Sequence, residues 1–465
     1  MMRRIFCLCA LFLTLCVPAL AKVKFKNVAL HDPAVIKAEE EYYFYGSHMQ
    51  GAKSTNLYEF KNFSNLDKCN LQPNYAKEFS EALTYAKAST FWAPDVIRLG
   101  DGRYYMYYCC CEGSSPLSAL GVAVGDTPEG PFRNIQVLLY SGGPGYDATH
   151  YPNAIDPCVF FDASGERLYM VYGSYSGGIF LLELDPETGL LLPDQGYGTH
   201  LLGGNHSCIE APYIVYNPET EYYYLFLSFG GLAANDGYNI RVCRARSPEG
   251  PYEDAAGNSM LDCKCKPGHY FNNDEIAPYG TKLMGSYLFR PLPGENSDKE
   301  NAVRSPGHNS VFYDEELGKW FLFHHARFAK TGEQYRLQAR ELYFNQDGWP
   351  VISPVRYTPE TETDIEMTGS FKVLSHERDV NPVEHVSEEV QFNADGTFSG
   401  ARNGTYEWSG NSLTLNMDGL TWRGHVGVGY DDEQDADTTC FTLLSEDGEA
   451  LWGILATIQS ADLGE

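Results

Sequence analysis

Short runs of aromatic and β-branched residues recur along most of this chain, bounded by Gly, Asp, Glu and Asn. Tyr42–Gly46, Tyr104–Cys110, Leu168–Gly173, Tyr222–Ser228 and Trp320–His324 have the composition of strands. Shorter runs precede them, such as Val96–Leu99, Val159–Phe161 and Ile214–Tyr216. Turns such as Gly100-Asp101-Gly102-Arg103 and Asp162-Ala163-Ser164-Gly165 join the pairs into hairpins. Leu120–Val124 and Tyr238–Ala245 continue the same pattern, so the regular structure is expected to be nearly all β.

One pattern recurs five times. His31-Asp32-Pro33-Ala34-Val35, Ala93-Pro94-Asp95-Val96, Asp156-Pro157-Cys158-Val159, Glu210-Ala211-Pro212-Tyr213-Ile214 and His308-Asn309-Ser310-Val311-Phe312 each stand nine to twelve residues before an aromatic pair such as Tyr42-Tyr43 or Trp320-Phe321. The prolines are 61, 63 and 55 residues apart, and Ser310 follows Pro212 after 98. A four-stranded propeller blade needs about 40–50 residues. The spacing therefore predicts a five-bladed β-propeller over residues 22–357, with the loop-rich stretch Cys263–Ser305 inserted over one face. Residues 365–465 lack the motif. Their short runs, from Phe371–Leu374 to Ala450–Leu455, predict a small antiparallel β-barrel or sandwich, with acidic solvated loops at Thr361–Glu366 and Asp431–Asp437.

The first residues change the picture of where the chain works. Arg3 and Arg4, the apolar run Ile5 to Val17 and Pro18-Ala19-Leu20-Ala21 read as a signal peptide over residues 1–21, which predicts export to the periplasm or the outside. The apolar run is too short for a membrane span, so no stable membrane insertion is expected. The chain carries 34 basic and 62 acidic side chains, a net charge of −28, which loss of the two leader arginines deepens. Such a charge argues against nucleic acid and polyanionic glycans as partners and leaves neutral plant cell-wall polysaccharides or oligosaccharides open. A monomer is expected. Cys109, Cys110 and Cys111 read as buried small apolar residues, and Cys263 and Cys265 offer a disulfide in an oxidising compartment. Zinc patterns are absent from the sequence.

The repeat also carries chemistry. Asp32, Asp156 and Glu210 read as lone carboxylates at the same point of three repeats. In a propeller, equivalent starts of the innermost strands converge at one mouth of the central channel. Glycosidic cleavage needs one acid to protonate the leaving oxygen and one carboxylate as base or nucleophile. A third carboxylate raises the pKa of the acid by repulsion.

His31-Asp32-Pro33, Phe91-Trp92-Ala93-Pro94-Asp95, Ala154-Ile155-Asp156-Pro157, Gly173-Ser174-Tyr175, Ile209-Glu210-Ala211-Pro212 and Gly307-His308-Asn309-Ser310, as an ordered set, resemble glycoside hydrolase family 43, especially its secreted endo-arabinanases with a C-terminal β-barrel. The resemblance covers nearly all of the chain after the leader. It implies an inverting hydrolase of α-1,5-linked L-arabinan, with Asp32 as general base, Glu210 as general acid and Asp156 setting the acid's pKa and orientation. It also implies one calcium ion on the propeller axis, held by His308 and waters. Phe91 and Trp92 would stand at the cleft, with Trp92 stacking on sugar. His31, Asn153, Ser174 and Tyr175 are further candidates for sugar contacts, and Asn205-His206 could lie in the cleft. His324 and His325 read as structural.

Two other readings remain open at this point. An exo-acting α-L-arabinofuranosidase or β-xylosidase uses the same scaffold with one end of the cleft blocked. A non-catalytic glycan-binding propeller would be free to lose the three acids, and all three are present.

Overall fold

The computed structural model describes residues 23–113, 115–297, 301–359 and 363–457; the expected signal peptide lies outside them. Four sheets of four strands and one of six surround a channel. Blade I comprises Ala34–Ala38, Glu41–Gly46, Gln50–Ser54 and Lys61–Ser64. Blade II comprises Trp92–Arg98, Tyr104–Cys111, Ser118–Gly125 and Arg133–Ser141. Blade III comprises Cys158–Phe161, Leu168–Tyr172, Ile179–Leu184 and Thr199–Leu202. Blade IV is Ile209–Asn217, Tyr222–Phe229, Asn239–Ala245 and Thr281–Met284. Blade V is Val303–Asp314, Lys319–Phe328, Gly332–Phe344 and Pro350–Ile352. The first strand of each blade touches that of the next, and blade V returns to blade I.

The two terminal blades share no strand, so side chains close the ring. Val35, Tyr42 and Phe44 of blade I pack with Phe321, Phe323, Leu337 and Ala339 of blade V. Leu337 N–H donates to Val28 O at 3.1 Å. Lys37 Nζ lies 2.9 Å from Asp314, whose carboxylate also accepts from the Tyr42 hydroxyl.

The stretch Cys263–Ser305 is more than an insertion. Thr281–Met284 completes blade IV, and Tyr287–Leu288 extends the blade V sheet. Three short helices, Tyr75–Glu78, Ser80–Tyr85 and Asn273–Ile276, also depart from the all-strand expectation. Cys263 and Cys265 are buried free thiols rather than disulfide partners, as are Cys109, Cys110 and Cys111.

The C-terminal unit is a closed eight-stranded barrel from Gly369–Ser375 to Ala450–Leu455. Phe371, Phe392, Phe398, Leu413, Leu415 and Phe441 fill its interior. The acidic run at 431–437 is a tight connection between two long strands, Leu420–Asp431 and Ala436–Ser445. The outside of the barrel is bound to the propeller. Trp452 is fully buried, with its ring 5.2 Å from Tyr287. His385–Val386, from the loop after the first barrel strand, pairs in parallel with Tyr287–Leu288. Buried Lys372 of the barrel bonds Glu295 at 2.9 Å.

Arg241 of blade IV is fully buried and bridges to the same loop. Its Nε donates to Asn239 Oδ1 at 2.8 Å. One terminal nitrogen donates to Ala277 O and Tyr279 O at 2.7 and 2.6 Å, and the other to Arg378 O and Asp379 O at 2.9 and 2.8 Å. A guanidinium has five N–H donors, and all five are used. Arg241→Met leaves those acceptors without donors, at about 1–3 kcal/mol for each buried group that water cannot reach. Arg241→Lys keeps the charge but only three donors. Thermal unfolding is expected to rank wild type above Lys and Lys above Met; equal melting temperatures would show that the bridge does not hold the loop.

Candidate active site

Each blade turns its first strand into the channel with one residue of left-handed backbone. These are Asp32 (φ 57°), Ala93 (24°), Asp156 (55°), Ala211 (55°) and His308 (47°). The conformation is unfavourable for L-residues, and the preceding blade supports each one. The N–H of Asp32 is received by His325 Nδ1 (3.3 Å), that of Ala93 by Ser47 Oγ (2.9 Å), that of Ala211 by Asp156 Oδ2 (3.2 Å) and that of His308 by Ser228 Oγ (2.7 Å). The Cys109 sulfur takes the N–H of Asp156. Register shifts flank the left-handed residue in blades II, IV and V, the signature of a bulge that re-aims side chains.

The expected equivalence of the three carboxylates holds for two of them. Asp32 and Asp156 are left-handed residues, whereas Glu210 stands one position earlier, in register with His31, Trp92, Ile155 and Gly307. The bulge presents both positions to the channel mouth, so the three acids still meet at one cavity of about 410 Å³.

The carboxylates meet different surroundings there. Asp32 is buried, with His31 Nδ1 at 2.7 Å and His308 Nδ1 at 3.1 Å, and it accepts from the Ser47 hydroxyl. Burial alone would raise its pKa, but His308 and His31 outweigh it and hold the carboxyl well below the usual range. In return, and against its own burial, His308 is raised to about 9 by Asp32. Glu210 accepts from Ser174 Oγ and Tyr238 Oη, both at 2.8 Å. Burial raises its pKa, and the two hydroxyls only partly offset this. Burial raises Asp156 too; His308 opposes the shift, and the charges of Glu210 and Asp32 add to it. The Asp156–Glu210 pair therefore keeps a proton at pH values where an isolated carboxylic acid has lost it. For Glu210 desolvation comes first, and the like charge that adds to it is that of Asp32.

Residues 25–275 match Glycosyl hydrolases family 43, and residues 354–453 match the C-terminal lipocalin-like domain GH43_C. An extracellular endo-α-(1→5)-L-arabinanase of Bacillus subtilis is 45% identical over 92% of this chain and 93% of its own length. An extracellular endo-α-(1→5)-L-arabinanase of Thermotoga petrophila is 42% identical over 92% of this chain and 94% of its own length. The chain belongs to glycosyl hydrolase family 43. Among solved structures, a family 43 glycoside hydrolase of Bacillus licheniformis superposes with a TM-score of 0.88 at 45% identity, covering 93% of this chain and 99% of that one.

In this family 43 chain the cavity gathers most of the site residues expected from the sequence. His31, Trp92, Asn153, Ser174, Tyr175 and His308 line it beside the three carboxylates. Some have their polar groups engaged elsewhere: the Tyr175 hydroxyl donates to Gly230 O at 2.9 Å, and Asn153 Oδ1 accepts from Ser118 at 2.5 Å. Phe91, expected at the cleft, is a core residue, 1% exposed and packed on Phe79 and Tyr108. His206 lines the cavity, while Asn205 turns away to Cys265 O. His325 was read as structural, yet it bonds the Asp32 amide.

Sequence reasoning missed Tyr238, Ser47 and Phe271. Tyr238 and Ser47 lie outside the repeated motif, at the ends of second and third strands, and nothing in their neighbourhood marks them. Phe271 is 58% exposed at the cavity lip, 5.4 Å from the His206 ring. A large exposed aromatic within a loop-rich stretch was the available signal.

The channel below His308 can be tested for a cation. A void of about 10 Å³ is lined there by Asp32, Asp156, His308 and Asn309. Asn309 is 2% exposed, and neither its amide oxygen nor its amide nitrogen has a partner; the buried Ser310 hydroxyl lacks one as well. Carboxylate and amide oxygens beside one imidazole suit a hard cation that keeps waters.

Proposed function

We propose that this protein is an exported endo-α-1,5-L-arabinanase that cleaves internal bonds of linear arabinan with inversion. One observation carries the reading: a single cavity holds a carboxylate kept ionised by imidazoles and a second carboxyl whose pKa burial raises. Glu210 gives its proton to the glycosidic oxygen as the bond to the anomeric carbon breaks. Asp32 takes a proton from the water that attacks the opposite face, and the product emerges inverted. Asp156 accepts the N–H of Ala211, the residue after Glu210, and so fixes the acid's backbone.

Endo action on arabinan is favoured by the relatives at 45% and 42% identity, both named endo-arabinanases; an exo-arabinofuranosidase of Cellvibrio japonicus reaches only 26%. Export agrees with the word extracellular in those names, and among the described residues no helix is long and apolar enough to cross a membrane. Cleavage by a signal peptidase after Ala21 belongs to the same proposal.

Product analysis on debranched linear arabinan tests this reading. Oligosaccharides are the expected products; arabinose alone would make the enzyme exo-acting, and no product on arabinan or aryl glycosides would leave a binding module. Asp32→Asn and Glu210→Gln are each expected to lower kcat by about 10²–10⁴-fold with the fold intact. Either variant keeping its rate on a poor leaving group would remove that residue from its role.

The pH profile tests the acid separately. The acid works protonated, so activity falls as pH rises through the pKa of Glu210. The Ser174 hydroxyl favours the ionised form and lowers that pKa. Ser174→Ala should therefore move the high-pH limb of kcat/KM upward; a limb that stays in place or moves down would separate Glu210 from it.

The proposal includes one calcium ion near His308, with His308 and Asn309 as the residues that would hold it among waters. When bound, it would supply at Asp32 the positive charge that the His308 proton otherwise supplies. Exhaustive chelation is expected to lower the melting temperature and added calcium to restore it, since a ligand bound only by the folded state stabilises that state. A melting temperature indifferent to both treatments would exclude the ion.

A further inference from the structure

In four blades the second-strand residue opposite the cavity-facing position is small. Ser47 lies opposite His31, Cys109 opposite Trp92, Gly173 opposite Ile155 and Ser228 opposite Glu210. Blade V reverses the sizes, with Gly307 on the first strand and His325 on the second. His325 therefore does more than receive an amide, which a serine does in blades I and IV. Its ring is fully buried and stacks on His31, with centroids 3.8 Å apart and planes 20° apart. The Tyr238 ring lies near-parallel to it as well, at 5.9 Å and 22°. His31 touches Asp32 at 2.7 Å, and the Tyr238 hydroxyl bonds Glu210 at 2.8 Å. Gly307 is what lets the Tyr238 ring in: a Cβ there would sit 2.0 Å from it. The His325 Nε2 has no hydrogen-bond partner, so shape rather than polarity accounts for this side of the ring.

We infer that His325 is a positioning residue whose ring, in contact with both His31 and Tyr238, sets the separation of Asp32 from Glu210. An inverting hydrolase needs about 6.5–9.5 Å between base and acid to admit the attacking water. The layered rings form a rigid spacer of that kind beneath the cleft. The inference rests on the reading of Asp32 as base and Glu210 as acid.

Two variants separate the ring from the amide acceptor. His325→Ser installs what blades I and IV use, so it keeps an acceptor and loses the ring. His325→Phe keeps a ring and loses the acceptor. Kinetics on arabino-oligosaccharides and on an aryl arabinofuranoside, with melting temperatures, give the result. For His325→Ser, kcat is expected to fall about a hundredfold while KM changes less than about threefold, because the reacting groups are misplaced and binding is not. For His325→Phe, kcat is expected to stay within about tenfold of wild type. A folded Ser variant with wild-type kcat would overturn the inference, and so would a folded Phe variant that falls as far as Ser. Should Ser fail to fold, the Phe variant decides alone on the same threshold. Asp32→Asn and Glu210→Gln in the same assay test the underlying reading: wild-type rates there would sink it whatever the His325 variants do.

Discussion

Five left-handed residues at the mouth of the channel are the constraint on which the site depends. Each is an Asp, Ala or His in a conformation that costs an L-residue about 1–2 kcal/mol. Four of them precede a proline, whose neighbour is normally extended. The turn persists because a side chain of the preceding blade receives each one's N–H. The same five bonds therefore clamp blade to blade and aim two residues of each blade at one cavity. Ring closure, strain and site geometry are a single arrangement: Asp156, itself a left-handed residue beside Glu210 in the cavity, also holds the Ala211 amide of the next blade.

Much of this was legible in the repeat. A motif at blade-length intervals gives the propeller, and carboxylates in that motif give a shared mouth. The offset of Glu210 stands in the sequence, since Asp32 and Asp156 directly precede their prolines and Glu210 stands two before Pro212; what was not legible is that a bulge lets two consecutive side chains face the same way, against ordinary strand alternation. Tyr238 and Ser47 escaped for a different reason. They act from second- and third-strand positions that have no motif, and only the closing of the ring brings them to Glu210 and Asp32. Phe91 stands just before the strand that begins at Trp92, and its ring turns into the core of blade II against Phe79 and Tyr108, so that only Trp92 of the two reaches the cleft.

The barrel is more than an appendage. Its interior is filled by aromatic and aliphatic side chains, so the barrel core contributes packing rather than a ligand cavity, unlike barrels built around a lumen. Its outer face shares a core with blades IV and V through Trp452, Leu374 and Ile454 against Tyr224, Ile240 and Leu342. Blade IV carries Glu210 and Tyr238, and blade V carries His308 and His325. The half of the ring that the barrel braces is thus the half that holds Glu210, Tyr238, His308 and His325.

The two working carboxylates differ in what surrounds them, not in what they are. Imidazoles at 2.7 and 3.1 Å hold Asp32 as an anion, while burial raises the pKa of Glu210 against the opposing pull of its two hydroxyl partners and of the charge on His308. That division survives only while no further charge enters the cavity. A bound carboxylate would compete with Asp32 for His308 and, as a like charge, would push the pKa values of the remaining acids higher still. A neutral sugar displaces water without adding charge, which lowers the local polarity and strengthens the contrast between the two sites. A neutral glycan, the kind of partner that the net charge of the whole chain leaves open, is also the kind that the few ångströms around Asp32 and Glu210 admit without disturbing either group.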